Sequence, residues 1–379
     1  TLWVGDARNE AVFSYTAFGS ADMGQRCAKL SAYSLDKYPL TLSQLPSTWE
    51  IILPAWSFLW GIMVWDNYYY TGDKDFLAWA YPYAVKNLKN AESYADARGL
   101  FSVPFWNMFD WSGIDDGAAT VTHNSMFAVG AADAAIKCGE ALGDTEHLEW
   151  LRQYRERLVK SINVLWDEKR GWYPDCVRDN GELSPKTCVH TGFLSLLYDI
   201  CPPEKRADVL AKVIAPPEGM TGIGSPFAVM YLLDALEKEG KGDEVVRLIL
   251  RDYQAMLDMN ATTVWETFAS GNVGHDGFPT RSHCHAWSSA PIHFLNRFVL
   301  GIVQDAPAGA AYRISPRLNG LEWAKGATAS IRGPVEVSWK REGNILRVEA
   351  KGPEGTELRF ERNDSMEGLK VEFNGKSQE

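Results

Sequence analysis

Between residues 8 and 304 the hydrophobic positions recur every three or four residues, segment after segment. Leu148, Leu151, Tyr154, Leu158, Ile162 and Leu165 form one apolar stripe, and Val246, Ile249, Leu250, Tyr253 and Leu257 form another. This spacing predicts amphipathic helices that lie on the outside of a fold. Other segments are apolar nearly all round. The clearest runs from Ile51 to Trp65, too short for a membrane span and interrupted by Pro54, Ser57 and Gly61. It predicts a helix buried on both sides. Further helices are expected near residues 20–35, 74–96, 121–141, 188–199, 202–214, 225–238 and 286–304. The 121–141 segment carries Ala128, Gly130, Ala131, Ala132, Ala134 and Ala135, small residues suited to close packing. Alternation of all-apolar with amphipathic helices predicts two concentric rings, the inner covered by the outer.

The pattern changes after Asp305. Ala306-Pro307-Ala308-Gly309 reads as a linker. Then Val335 to Trp339, Ile345 to Glu349 and Leu358 to Phe360 alternate apolar and polar residues, as half-buried strands do. The expected organisation is a helical domain over 1–305 and a small antiparallel β-sandwich over 306–379, frayed from Gly375 onward.

Composition narrows the function. The formal net charge of the 379 residues is −11, which disfavours nucleic acid and anionic membranes because no basic surplus exists to displace counterions. Tryptophan is abundant, at 15 residues, and its flat faces suit a pocket that stacks on sugar rings. The six cysteines, at 27, 138, 176, 188, 201 and 284, fit no zinc spacing. They read as reduced thiols, although Cys176 and Cys188 flank one loop. A cytoplasmic location is expected, with secretion the alternative because the chain opens at Thr1 without Met. Oligomeric state is left open, a homodimer included, and no cofactor or metal is expected.

Four segments concentrate Trp, carboxylate and His outside the helices: Trp3 to Arg8, Trp106 to Trp111, Trp265 to Phe268 and Ser282 to Trp287. Each precedes or starts a helix. In an alternating toroid all inner helices start at one end, so these distant segments should converge on one face. Two carboxyl groups flanking a bond is the usual equipment for glycoside cleavage. Glu266 beside Trp265 and Asp110 beside Trp111 offer carboxyls in aromatic surroundings. Singly, each residue has a plainer reading. Glu266 could cap or be solvated, Asp6 could N-cap the following helix, and Arg8 could be its surface partner. His123 and His190 read as core histidines. His283 and His285 lack a third ligand at metal spacing.

Together, Trp3-Val4-Gly5-Asp6-Ala7-Arg8, Phe109-Asp110-Trp111, Trp265-Glu266 and Ser282-His283-Cys284-His285 resemble the bacterial α-L-rhamnosidases of glycoside hydrolase family 78, in that family's order and at similar separations. The resemblance implies an (α/α)6 barrel, a six-hairpin toroid, flanked by β-domains. It implies removal of terminal α-L-rhamnose from a rhamnose-containing glycoside or oligosaccharide with inversion. Glu266 matches the general base. Trp3, Asp6, Arg8, Asp110, Trp111 and His285 fall on segments lining the rhamnose pocket, to which Trp106, Trp265 and a wall of Trp56 and Trp60 are added. The family's general acid falls before Thr1, so this chain is expected to lack it, with Asp6 a sugar ligand or a weak substitute acid. An inverting pair stands roughly 6.5–9.5 Å apart. Two other readings stay open: another toroid glycosidase of glucosidase or trehalase type, and a non-catalytic carbohydrate-binding protein.

Overall fold

The computed structural model describes residues 2–269 and 280–378. Among them, eleven α-helices precede most of the strands. The helices are α1 (Val4–Phe18), α2 (Asp22–Ser34), α3 (Pro54–Thr71), α4 (Lys74–Glu92), α5 (Thr122–Leu142), α6 (Leu148–Val164), α7 (Val189–Leu197), α8 (Pro203–Ile214), α9 (Pro226–Lys238), α10 (Gly242–Asp258) and α11 (Ala290–Phe298). The odd-numbered helices touch in sequence order, and α11 closes the ring against α1. The even-numbered ones pack outside, each against the odd-numbered helix before it, and α2, α4 and α10 also against the one after. The two rings expected from the hydrophobic pattern are therefore present.

Local chemistry explains the difference between the rings. Inner α5 is buried almost without interruption from Thr122 to Ala135, whereas outer α6 buries only Leu151, Tyr154, Leu158 and Ile162. Gly61 of α3 lies so close to α5 that an added Cβ would sit 3.5 Å from the Ala131 Cβ. Helix starts and stops follow simple signals. Proline occupies the first turn of α3, α8, α9 and α11, where its missing N–H costs nothing. Asp73 caps α4 through the Phe76 N–H, and Gly19, Gly72 and Gly143 end helices in the left-handed region.

All inner helices begin at one end of the toroid. Two short ribbons tie the loops there. β1 (Leu2–Trp3) pairs with β2 (Gln44–Leu45), and β3 (Thr120–Val121) pairs with β4 (Cys176–Val177).

The last inner helix is shorter than expected. Residues 286–304 do not form one helix: a single 3-10 turn at Ala286–Ser288 precedes α11, and β5 (Ile302–Gln304) begins the second domain. Gly301, in the left-handed region, ends the helical run against the backbone of Ser315 and Pro316. The change from one hydrophobic core to the other thus falls near Leu300, ahead of Asp305.

The second domain faces a three-stranded sheet against a five-stranded one. Its strands are β6 (Ala311–Ile314), β7 (Trp323–Thr328), β8 (Val335–Glu342), β9 (Ile345–Lys351), β10 (Glu357–Phe360), β11 (Lys370–Phe373) and β12 (Lys376–Gln378). The sheet orders are β10-β6-β5 and β12-β11-β9-β8-β7. Two pairings, β6 with β10 and β9 with β11, are parallel, a departure from the all-antiparallel expectation. Crossovers between the sheets explain both: β7 to β9 of the five-stranded sheet lie between β6 and β10, and β10 of the three-stranded sheet lies between β9 and β11. The chain end is not frayed as expected, since β12 pairs with β11; Glu379 lies outside the described residues. Thr16 of α1 joins the domains, its carbonyl accepting from the Ala329 N–H at 2.8 Å and the Thr328 hydroxyl at 3.3 Å. All six cysteines are free, and five are buried. Among the described residues no helix is long and apolar enough to cross a membrane.

Candidate active site

The first turn of α1 supplies Asp6. The helix starts at Val4, so Asp6 lies inside it rather than capping it, and its carboxylate is turned to the open end. Its Oδ2 accepts from the Trp56 indole N–H at 3.2 Å. Gly5 permits this contact, because a Cβ there would fall 2.5 Å from the Trp56 ring. Trp56 is buried and stacks on Phe227 at 4.9 Å, which in turn meets Trp287 at 5.0 Å. These three rings form the floor. Trp60, one turn along, is turned away and donates to the Ala28 carbonyl.

The irregular segment before α11 brings the second carboxylate. The Glu266 N–H donates to Ser282 O, and the Trp287 indole donates to the Glu266 carbonyl, fixing the backbone. The Glu266 side chain is 12% exposed, and its Oε1 accepts from the Trp111 indole N–H at 2.9 Å. Arg281 Nε stands 3.3 Å from the same oxygen. His285 lies between the carboxylates, with Nε2 3.4 Å from Asp6 Oδ1 and Nδ1 3.8 Å from Glu266 Oε2. Its ring rests 4.3 Å from that of Trp287. Segments more than 250 residues apart therefore meet around one imidazole, as 279 positions separate His285 from Asp6.

Three expected sugar contacts lie elsewhere. Trp265 is buried beneath the loop, where its carbonyl accepts from the Ser288 hydroxyl. Asp110 has no exposed side-chain surface and accepts from His190 Nε2 at 2.8 Å, the Gly224 N–H at 2.8 Å and the Ser225 hydroxyl at 2.5 Å. With both oxygens engaged, it anchors the loop that presents Trp111. Gly224 belongs to this anchor, since a Cβ would fall 1.8 Å from the Trp111 carbonyl oxygen. Arg8 points toward the opposite end of the toroid. Its Nε pairs with Asp66 at 3.0 Å and its Nη1 stands 4.0 Å from Asp234. There it lines a separate cavity of about 680 Å³ with Asp66, Asp234 and Tyr198. Burial pushes the Asp234 carboxyl up to about 7, against the pull of Arg8.

Trp3, Trp106 and Trp111 lie at the mouth, joined by Trp49, which the motifs did not signal. Glu10 was also missed. It lies one helical turn beyond Asp6, and burial, then the nearby Asp6, raise its carboxyl to about 7. Its four-residue spacing from Asp6 was the available signal. His123 is a core residue whose Nε2–H donates to the Asn107 carbonyl at 2.9 Å, and burial lowers its pKa to about 3. Among the described residues no group of three or more His, Cys, Asp or Glu could hold a metal ion.

Comparison with known proteins identifies the scaffold. The family model of the bacterial alpha-L-rhamnosidase 6 hairpin glycosidase domain matches residues 1–299. The chain belongs to this family. The bacterial alpha-L-rhamnosidase C-terminal domain matches residues 301–374. The rhamnosidase-family chain is similar to the family 78 rhamnosidase of Bacillus sp. GL1, with 33% identity and a TM-score of 0.93 over 98% of this chain and 39% of that one. It shares the fold of α-L-rhamnosidases from Dictyoglumus thermophilum (20% identity, TM-score 0.78, covering 94% and 40%). The same holds for the Streptomyces avermitilis enzyme complexed with L-rhamnose (19%, 0.77, covering 94% and 34%). The chain spans about two-fifths of the length of these relatives or less. No curated protein matches it.

Proposed function

We propose that this chain forms the sugar-binding and water-activating half of an inverting α-L-rhamnosidase. The observation that carries the reading is the convergence of Glu266, His285 and Asp6 over an aromatic floor at the open end of the toroid. Glu266 serves as general base. Its Oε1 is occupied by Trp111, which leaves Oε2, on the His285 side, to take a proton from an attacking water. Asp6 and His285 bind hydroxyls of the sugar, held in place from beneath by the buried Trp56, Phe227 and Trp287 rings. Trp3, Trp106 and Trp111 line the outer part of the cleft.

Inversion also needs a proton donor to the leaving oxygen. Family resemblance puts that acid before Thr1, and Asp6 stands as the weaker substitute. Hydrolysis of p-nitrophenyl α-L-rhamnoside, compared between this chain and one extended upstream of Thr1, tests the assignment. Activity that rises sharply in the extended chain supports it. Turnover of a glucoside with rhamnosides inert in both would refute the rhamnose reading.

A further inference from the structure

The geometry points to a second ligand site in the cavity of about 680 Å³ around Arg8, at the end of the toroid opposite the cleft. We propose that it binds a neutral polyol of monosaccharide size, through residues that take no part in the proposed hydrolysis. The inference does not depend on which bond the Glu266 site cleaves.

The cavity lies on the axis of the toroid, since all six inner helices contribute to its wall. A layer of side chains separates it from the cleft. There the Tyr231 hydroxyl donates to Asn9 Oδ1 at 3.0 Å, and Asn9 Nδ2 donates to the carbonyl of Phe227, whose ring belongs to the cleft floor. The Arg8 guanidinium stands 5.5 Å from the centre of the Tyr231 ring. At the rim, Lys137 and Asp199 are exposed, so the cavity opens to solvent. Its volume is in the range of roughly 300–1,000 Å³ usual for small-molecule sites.

Two groups deep in the cavity lack partners. The Arg8 side chain is 9% exposed, and its Nε pairs with Asp66. Its Nη1 is buried with no hydrogen-bond partner among the described residues. Asp234 Oδ2, 4.0 Å from Nη1, is beyond hydrogen-bond reach. A hydroxyl placed between them accepts from Nη1 and donates to Asp234, which satisfies both. Water could serve these two atoms, but the wall beside them suits a ring. Trp65, Tyr69 and Tyr70, in the last two turns of α3, make a continuous aromatic face, with 6.0 Å and 5.6 Å between successive centroids. Such a face packs on the C–H side of a sugar or cyclitol, whose hydroxyls turn to the polar groups opposite.

Charge argues against an ion. Asp133 neutralises Arg155, Asp199 neutralises Lys238 and Glu237 neutralises Arg297. Arg8 and Lys137 then stand against Asp66 and Asp234, two charges against two. Burial holds the His293 imidazole well below its usual range, so it adds no charge. A balanced wall attracts neither anion nor cation, whereas hydroxyls, which donate and accept, match its mixed polar atoms.

Calorimetric titration of this chain with myo-inositol, D-glucose and L-rhamnose tests the proposal. At least one should bind, about tenfold more weakly to Asp234→Asn, the loss expected when a hydrogen bond to a charged acceptor becomes one to a neutral acceptor. Asp6→Asn, in the cleft, should leave that affinity unchanged. Binding of none of the three, or binding weakened by Asp6→Asn and not by Asp234→Asn, would overturn the site. Binding of inorganic phosphate that Lys137→Ala abolishes would overturn the neutral class. Should Asp234→Asn fail to fold, crystals of the parent chain soaked in the same three compounds decide the question. Density for one of them bridging Arg8 and Asp234 upholds the site, and a cavity holding only water overturns it.

Discussion

Glu266 and Trp265 are neighbours that face opposite ways, one toward the cleft and the other into the core. The sequence makes the pair visible as a motif, but only the fold decides which member meets the substrate. Asp110 and Trp111 repeat the lesson: the carboxylate is an anchor, and its neighbour's N–H reaches Glu266. Trp111→Phe keeps the ring and deletes that hydrogen bond to a charged acceptor. We expect kcat of the active enzyme to fall roughly 10- to 100-fold with KM little changed. Steady-state kinetics on an aryl rhamnoside checks this, and a change confined to KM would show that Trp111 acts only in binding. His190→Ala should destabilise the fold by about 3 kcal/mol, because it strips one partner from a fully buried carboxylate. Urea unfolding measures it. Arg8 was misplaced from sequence for a similar reason. Two residues along a helix rotate a side chain far from Asp6, and its partners, Asp66 and Asp234, lie on helices that spacing alone cannot bring near.

Helices were the most legible level. The periodicity of 148–165 and the apolar run of 51–65 correspond to α6 and α3, and their contrast separates outer from inner positions. The shared direction of the inner helices then explains why four remote segments converge. Two kinds of feature escaped. The stop at Gly301 depends on backbone packing against Ser315 and Pro316. Trp49 and Glu10 carry no motif of their own. Interlocking between elements is testable at Gly5, where α1 lies flat against the Trp56 indole of α3. Gly5→Ala should cost about 1–3 kcal/mol through overpacking. Because Trp56 also holds Asp6, the same substitution should weaken sugar binding. Loss of stability with unaltered affinity for methyl 1-thio-α-L-rhamnoside would show that this contact does not position Asp6.

At the scale of the molecule, two hydrophobic cores meet at Leu300, and the site belongs wholly to the first. Deep burial there has a pH signature. His123 has its pKa lowered to about 3 from 6.5 by desolvation, so the unfolded chain binds more protons between those values. Its contribution to stability is whole above about pH 6.5 and is lost as pH falls toward 3. Asp234 and Glu10, both raised to about 7, act in the other direction, losing stability as pH rises toward 7. His123→Gln should therefore flatten the acid side of the melting-temperature profile relative to the parent, the opposing terms being common to both. Identical slopes would place His123 outside acid unfolding.

The central claim, that Glu266 activates water against a rhamnosyl centre bound at the mouth of this toroid, can be tested without a general acid. 2,4-Dinitrophenyl α-L-rhamnoside releases a phenolate that needs no protonation, so this chain can be assayed directly against Glu266→Gln. The account predicts measurable release by the parent chain and a loss of several orders of magnitude in the variant, with binding of methyl 1-thio-α-L-rhamnoside retained. Equal release by parent and variant would contradict it.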